Sequence, residues 1–119
     1  MCAQYQRWIC SPSDLTDLTP KRARDLIVEC FFQAQHEMME RSQTAMGLAV
    51  DPVAIRVGAE GAVRMAFAST GGDFENPDKA SLERAVKALT EMASTFGTPA
   101  DIIHHHEEQI ALVLAGLRR

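Results

Sequence analysis

Apolar residues recur every three to four positions over most of this chain, which is the spacing of one face of an α-helix. In residues 20–48 they form two neighbouring stripes, and Gly47 marks the end of the segment. Residues 77–96 place apolar side chains on one face and charged side chains on the other, and residues 99–117 repeat the apolar spacing. The pattern therefore predicts three long amphipathic helices.

Four prolines are placed to begin helices, and each of them follows a residue that can cap a helix. A capping side chain accepts hydrogen bonds from the first backbone N–H groups, and proline is tolerated at the first helical position because its missing N–H would be unpaired there. These pairs divide most of the chain into four segments of helix length. The predicted helix starts are Thr19-Pro20, Asp51-Pro52, Asn76-Pro77 and Thr98-Pro99.

The segment from Asp51 to Thr70 is compatible with two structures. As a helix it begins at Pro52, places arginine and glutamate four residues apart, and ends at a pair of glycines. As a β-hairpin it forms two strands within residues 53–67 around a turn that contains Gly61. Its many alanines favour the helix. A helix here would carry a ridge of small residues that a neighbouring helix can approach closely, namely Ala54, Gly58, Ala62 and Ala66.

The fold class that these segments predict is all-α, a compact bundle of four principal helices. A chain of 119 residues fits one domain, which we place at residues 19–119. Residues 1–18 lack a helical stripe and are predicted to form an irregular N-terminal arm, whose Trp8 and Ile9 we expect to pack on the body or on a second subunit. The alternative is an α+β fold with one hairpin at residues 53–67.

Two apolar stripes on the first helix predict that it needs two neighbours. The first segment is also longer than the other three, so part of it would extend beyond them. A monomer would then expose an apolar patch along Phe32, Met39 and Met46. We therefore expect a homo-oligomer, most simply a homodimer.

Composition and charge exclude some classes of partner. Apolar residues make up 46% of the chain and the formal net charge is −4, which is typical of a globular protein and unlike a general nucleic-acid binder. No apolar run approaches the roughly 20 residues of a membrane span, and no secretory leader is recognisable. We expect a cytoplasmic protein without nucleic-acid or membrane partners. Cys2, Cys10 and Cys30 match neither a zinc-site spacing nor a disulfide framework.

One local cluster could bind a metal. His104, His105 and His106 stand beside Glu108, and His104 and Glu108 share a helix face. The first helix offers a similar pair in His36 and Glu40. Imidazole and carboxylate from two helices form a typical site for a divalent transition metal. The alternative is that these are ordinary surface or interface histidines, except that His106 falls on the apolar stripe of its helix.

No catalytic motif or cofactor-binding motif is recognisable, so no catalytic residue is assigned. The sequence favours a non-enzymatic helical binding or interaction module that self-associates, with a further protein partner left open. The alternative is a transition-metal-binding helical protein that uses the histidine cluster. A third interpretation is a sensor that holds a small ligand between helices, against Phe32, Met38 and Met39.

Overall fold

Four helices build the protein, in a computed structural model that describes residues 17–45, 47, 49, 51–95 and 97–117. The helices are α1 (Pro20–Ala45), α2 (Pro52–Ser69), α3 (Lys79–Thr95) and α4 (Ala100–Ala115). They pack into one compact globule, which confirms the all-α bundle. The hairpin alternative is wrong, because residues 53–67 lie within the continuous helix α2. The predictions for Trp8, Ile9, Cys2 and Cys10 lie outside the described residues.

The first two predicted helix starts are confirmed. The hydroxyl of Thr19 accepts a hydrogen bond from the backbone N–H of Arg22 at 3.1 Å, and Pro20 is the first residue of α1. The carboxylate of Asp51 accepts hydrogen bonds from the backbone N–H groups of Val53 and Ala54 at the start of α2. In both cases the side chain pairs a donor that the helix cannot pair itself.

The other two predicted starts need correction. Helix α3 is capped by Asp78 rather than Asn76, because the Asp78 carboxylate accepts from the Ser81 N–H at 2.7 Å while the Ser81 hydroxyl accepts from the Asp78 N–H at 2.9 Å. This reciprocal pair satisfies two donors at once, which a single cap does not. Helix α4 starts after Pro99 without a side-chain cap, so Thr98 does not cap it.

The core lies between all four helices. Helix α1 packs against α2 and α4, and α3 closes the bundle by packing against the same two. Every helix contributes apolar side chains with essentially no exposure, and their burial stabilises the bundle. The largest of these buried side chains are Phe67, Ile27, Leu82, Leu89, Ile102 and Val63.

The two ends of the described body are joined. Leu18 and Leu117 form an isolated parallel bridge, in which the Leu18 N–H donates to the Gly116 carbonyl at 2.7 Å. Both leucines are buried in the main core. Leu18, the last residue of the predicted N-terminal arm, therefore packs with the helical body.

Of the apolar patch expected on α1, Phe32 is covered within this chain, whereas Met39 is partly exposed. Phe32 is only 7% exposed, because the guanidinium of Arg56 on α2 lies 4.0 Å from the centre of its ring. Arg56 is held there by an ion pair with Glu29 at 3.0 Å. The expectation that Phe32 belongs to an exposed patch is therefore wrong, and Met46 lies outside the described residues. No helix in the described part of the chain is long and apolar enough to cross a membrane.

Candidate functional site

The three histidines of α4 point in different directions, as their helical spacing requires. His104 is exposed, whereas His105 is largely covered and His106 is only 2% exposed. Glu108 lies near the first two, with its carboxylate 3.6 Å from His104 Nε2 and 3.9 Å from His105 Nδ1. His106 faces the core and is not part of this surface group.

The predicted second half of the metal site lies on α1. His36 Nδ1 is 3.5 Å from the Glu40 carboxylate, and the His36 ring packs against Phe32 with ring centres 5.6 Å apart. Within residues 17–45, 51–95 and 97–117, no three or more histidine, cysteine, aspartate or glutamate side chains are placed to hold one ion. The divalent-metal site at His104, His105, His106, Glu108, His36 and Glu40 stays a prediction.

His106 is the most unusual polar group that the structure describes. The sequence placed it on the apolar stripe of its helix, and this is confirmed. Its ring contacts Phe31 edge-on at 5.9 Å between centres, and neither ring nitrogen has a hydrogen-bond partner of good geometry among the described residues. Burial lowers the pKa of His106 to about 4, partly offset by the backbone carbonyl of Cys30. The ring is therefore neutral at physiological pH.

A cavity adjoins this histidine between α1, α3 and α4. It has a volume of about 40 Å³. Its floor is formed by residues that are themselves buried, namely Phe31, Ala34, Ile102 and His106. Partly exposed residues surround the mouth, among them Gln35, Met38, Ala93 and Thr98.

Cys30, the remaining candidate for chemistry in the core, is inert by its environment. It is fully buried, and burial raises the pKa of its thiol to about 12. The nucleophilic form is the thiolate, which is therefore almost absent at neutral pH. Cys30 therefore acts as a small buried hydrophobe.

A second notable surface lies on the outside of α2. Val53 is 73% exposed, and Val57 and Met65 are each 70% exposed. The buried side of the same helix carries Ala59, Val63, Ala66 and Phe67. Large apolar side chains are thus present on both sides of α2. The sequence could have indicated this exposed apolar surface, because the charged residues of α2, Arg56, Glu60 and Arg64, lie along one flank of the helix rather than opposite the core.

Comparison with known proteins gives no relative from which a function could be transferred. A scan against protein-family models and searches of curated proteins and of solved structures returned no match. The candidate functional features in the described part of the chain are the exposed apolar residues on the outside of α2 and the cavity beside His106.

Proposed function

We propose that this protein is a non-enzymatic interaction module that self-associates through the outer face of α2. The observation that carries the proposal is the exposure of Val53, Val57 and Met65, each at 70% or more. Large apolar side chains grouped on the exposed side of a helix commonly mark interaction sites. The proposed partner is a second copy of the same chain.

The outward side of α2 consists mainly of small and apolar residues, with Arg64 at its edge. Successive residues of a helix are turned by about 100°, so the side opposite the buried residues is centred on Gly61. An ideal Cβ at Gly58 or at Gly61 would have no atom within 4 Å, so the backbone itself is accessible there. We define the outer face of α2 as Val53, Ala54, Val57, Gly58, Gly61, Met65 and Ala68.

The outer face of α2 is self-complementary about Gly61. Val57 and Met65 stand four residues before and after this glycine, and Ala54 and Ala68 stand seven residues before and after it. In a two-fold pair of antiparallel helices that cross at Gly61, Val57 of one copy would face Met65 of the other. Two-fold interfaces require the same patch on both subunits, and a small residue at the crossing allows close helix packing. This symmetry favours a second copy over an unrelated partner.

The charges beside the outer face need not be stripped of their partners on association. Arg64 pairs with Glu60 at 3.2 Å and with Glu75 at 3.0 Å, both within the same chain. Arg56 is held over Phe32 on the side of the helix nearer α1. An apolar contact could therefore form between rims that are already neutralised, and it would leave no unpaired buried charge.

The size of the outer face sets the expected affinity. Helix α2 has 18 residues, and an area about 27 Å long and 10 Å wide is on the order of 300 Å² for each copy. Stable complexes usually bury roughly 800 Å² for each partner, and weak transient ones bury less. We therefore expect a reversible dimer with a dissociation constant in the micromolar range or weaker.

Sedimentation velocity over a concentration series from micromolar to millimolar tests the proposal. Wild type should shift from monomer to dimer, whereas Val57→Glu should remain monomeric because a charge would be desolvated at the interface. Ala111→Glu is the matched control, since it adds the same charge at an exposed position of α4, and it should dimerise like wild type. A wild type that remains monomeric throughout the series would overturn the proposal.

A charge-complementation experiment tests the two-fold geometry itself. Val57→Lys and Met65→Glu should each fail to dimerise alone. Mixed together they should form a heterodimer, because the lysine introduced at position 57 of one chain would face the glutamate introduced at position 65 of the other. At the second contact of the same heterodimer the native Met65 and Val57 would meet. Failure of the mixture to associate, with both variants folded, would rule out crossing at Gly61.

A further inference from the structure

The cavity between α1, α3 and α4 combines an apolar floor with a single polar group. Of its buried lining residues, Phe31, Ala34 and Ile102 are apolar, and His106 alone can form hydrogen bonds through its side chain. Small-molecule sites in proteins have this composition, mostly apolar walls with a few polar groups that fix the orientation of the ligand. The cavity is separate from the outer face of α2, and it does not depend on self-association.

His106 has hydrogen-bonding capacity that the described chain does not use. Neither of its ring nitrogens has a partner of good geometry among the described residues, although the ring is almost completely buried. Burying a polar group without a partner costs stability, and each such group in a folded protein calls for an explanation. A ligand that supplies the missing hydrogen bond would remove this cost.

Water is a poor occupant for the floor of this cavity. The volume of about 40 Å³ is enough for water, since one molecule needs roughly 10–15 Å³. A buried water, however, is held by two to four polar partners. At the floor only His106 offers a polar side chain, whereas Gln35 and Thr98 lie at the partly exposed mouth.

We infer that this cavity binds a small uncharged molecule with an apolar body and one hydroxyl or N–H donor, which donates to His106. The neutral imidazole has one N–H donor and one acceptor nitrogen. In the tautomer that this binding needs, the N–H lies on the side of the Cys30 backbone carbonyl, which partly offsets the lowered pKa of the ring, and the other nitrogen accepts from the ligand. The apolar body of the ligand contacts Phe31 and Ile102, and because the cavity holds only about 40 Å³, most of that body lies at the mouth, where Met38 can adapt to its shape.

Phenol and toluene are suitable probes, because they have similar shape and only phenol carries a donor. Titration of each into wild type, followed by NMR of the methyl groups of Met38, Met92 and Ile102, should give saturable shifts at the cavity. The quantity of interest is the ratio of the two affinities in wild type and in His106→Leu. The affinity for phenol divided by the affinity for toluene should be at least tenfold lower in His106→Leu than in wild type, because the phenol hydroxyl then has no partner.

Two control variants make the test specific. His104→Leu removes an exposed ring two residues away and should leave the ratio unchanged. Ala93→Leu places a larger side chain at the mouth while His106 stays in place, and it should weaken both probes at least tenfold. An equal ratio in wild type and His106→Leu would overturn the inference. So would the absence of saturable shifts at these methyl groups in wild type.

Discussion

Replacing His106 with leucine should remove a specific part of the acid sensitivity of the fold. The ring is 2% exposed, and burial lowers the pKa of His106 from 6.5 to about 4 in the folded protein. Between these two values the unfolded chain binds a proton on this ring that the folded chain does not. The free energy of unfolding must therefore fall as the pH drops through the unfolded pKa toward the folded one.

The size of the effect follows from the two pKa values. A difference of about 2.5 units corresponds to roughly 3 kcal/mol when the pH is below both values. Between pH 8 and pH 5 the expected loss of unfolding free energy is about 2 kcal/mol. At pH 8 His106→Leu should be as stable as wild type or more stable by about 1–2 kcal/mol, because leucine needs no hydrogen bond in an apolar site.

Urea unfolding of wild type and His106→Leu at pH 8, 6 and 5 measures this difference directly. Other groups also titrate in acid, among them Asp101, where a hydrogen bond from Arg41 holds the pKa of the carboxyl below its ordinary value. They are present in both proteins, so the difference between the two pH profiles isolates His106. His104→Leu, which removes an exposed ring, should follow wild type. Parallel profiles for wild type and His106→Leu would refute the reasoning.

Two further substitutions test the contacts that corrected the sequence predictions. Asp78→Ala should lower the free energy of unfolding by about 1 kcal/mol because it removes the cap bonded to Ser81. Asn76→Ala should change it by less than about 0.5 kcal/mol. Chemical denaturation measures both variants, and equal effects would contradict the assignment of Asp78 as the cap. Arg56→Ala should lower the free energy of unfolding by about 1 kcal/mol because it uncovers Phe32. If chemical denaturation gave the same free energy for this variant as for wild type, Arg56 would not stabilise the fold by covering Phe32.

Much of the fold was predictable because helical spacing and capping are local properties. The starts at Pro20 and Pro52 and the burial of His106 all follow from residues within one or two turns of each other. The start of α3 was harder to predict, because both Asn76 and Asp78 can cap. Only the position of Ser81 decides between them, since its hydroxyl can bond back to the Asp78 N–H.

The ridge of small residues on α2 shows why a surface is harder to predict than a helix. Residues four apart are turned by about 40° relative to one another, so twelve residues accumulate about 120°. Ala54 and Gly58 therefore lie on the exposed side, whereas Ala66 is buried. The sequence could identify the ridge. However, no helix in the described part of this chain covers the first half of the ridge, at Ala54 and Gly58.

The cavity beside His106 could not be predicted from spacing alone. Its walls come from three helices, and its volume depends on how closely α1, α3 and α4 approach one another. The sequence interpretation of a ligand between helices named Phe32, Met38 and Met39, of which Met38 lines the cavity and Phe32 instead lies beneath Arg56. Such a site depends on tertiary packing, which the pattern of one helix does not contain.

The bridge between Leu18 and Leu117 makes the connectivity of the bundle nearly circular. Because the Leu18 N–H already bonds to the Gly116 carbonyl at 2.7 Å, a short linker from residue 117 to residue 18 would close the described body into a ring without moving a helix. That ring could be opened in the exposed loop around Gly71, between α2 and α3. A circular permutant with the helix order α3, α4, α1, α2 would then keep every helix contact of the native bundle, so the order of the helices along the chain is separable from their packing.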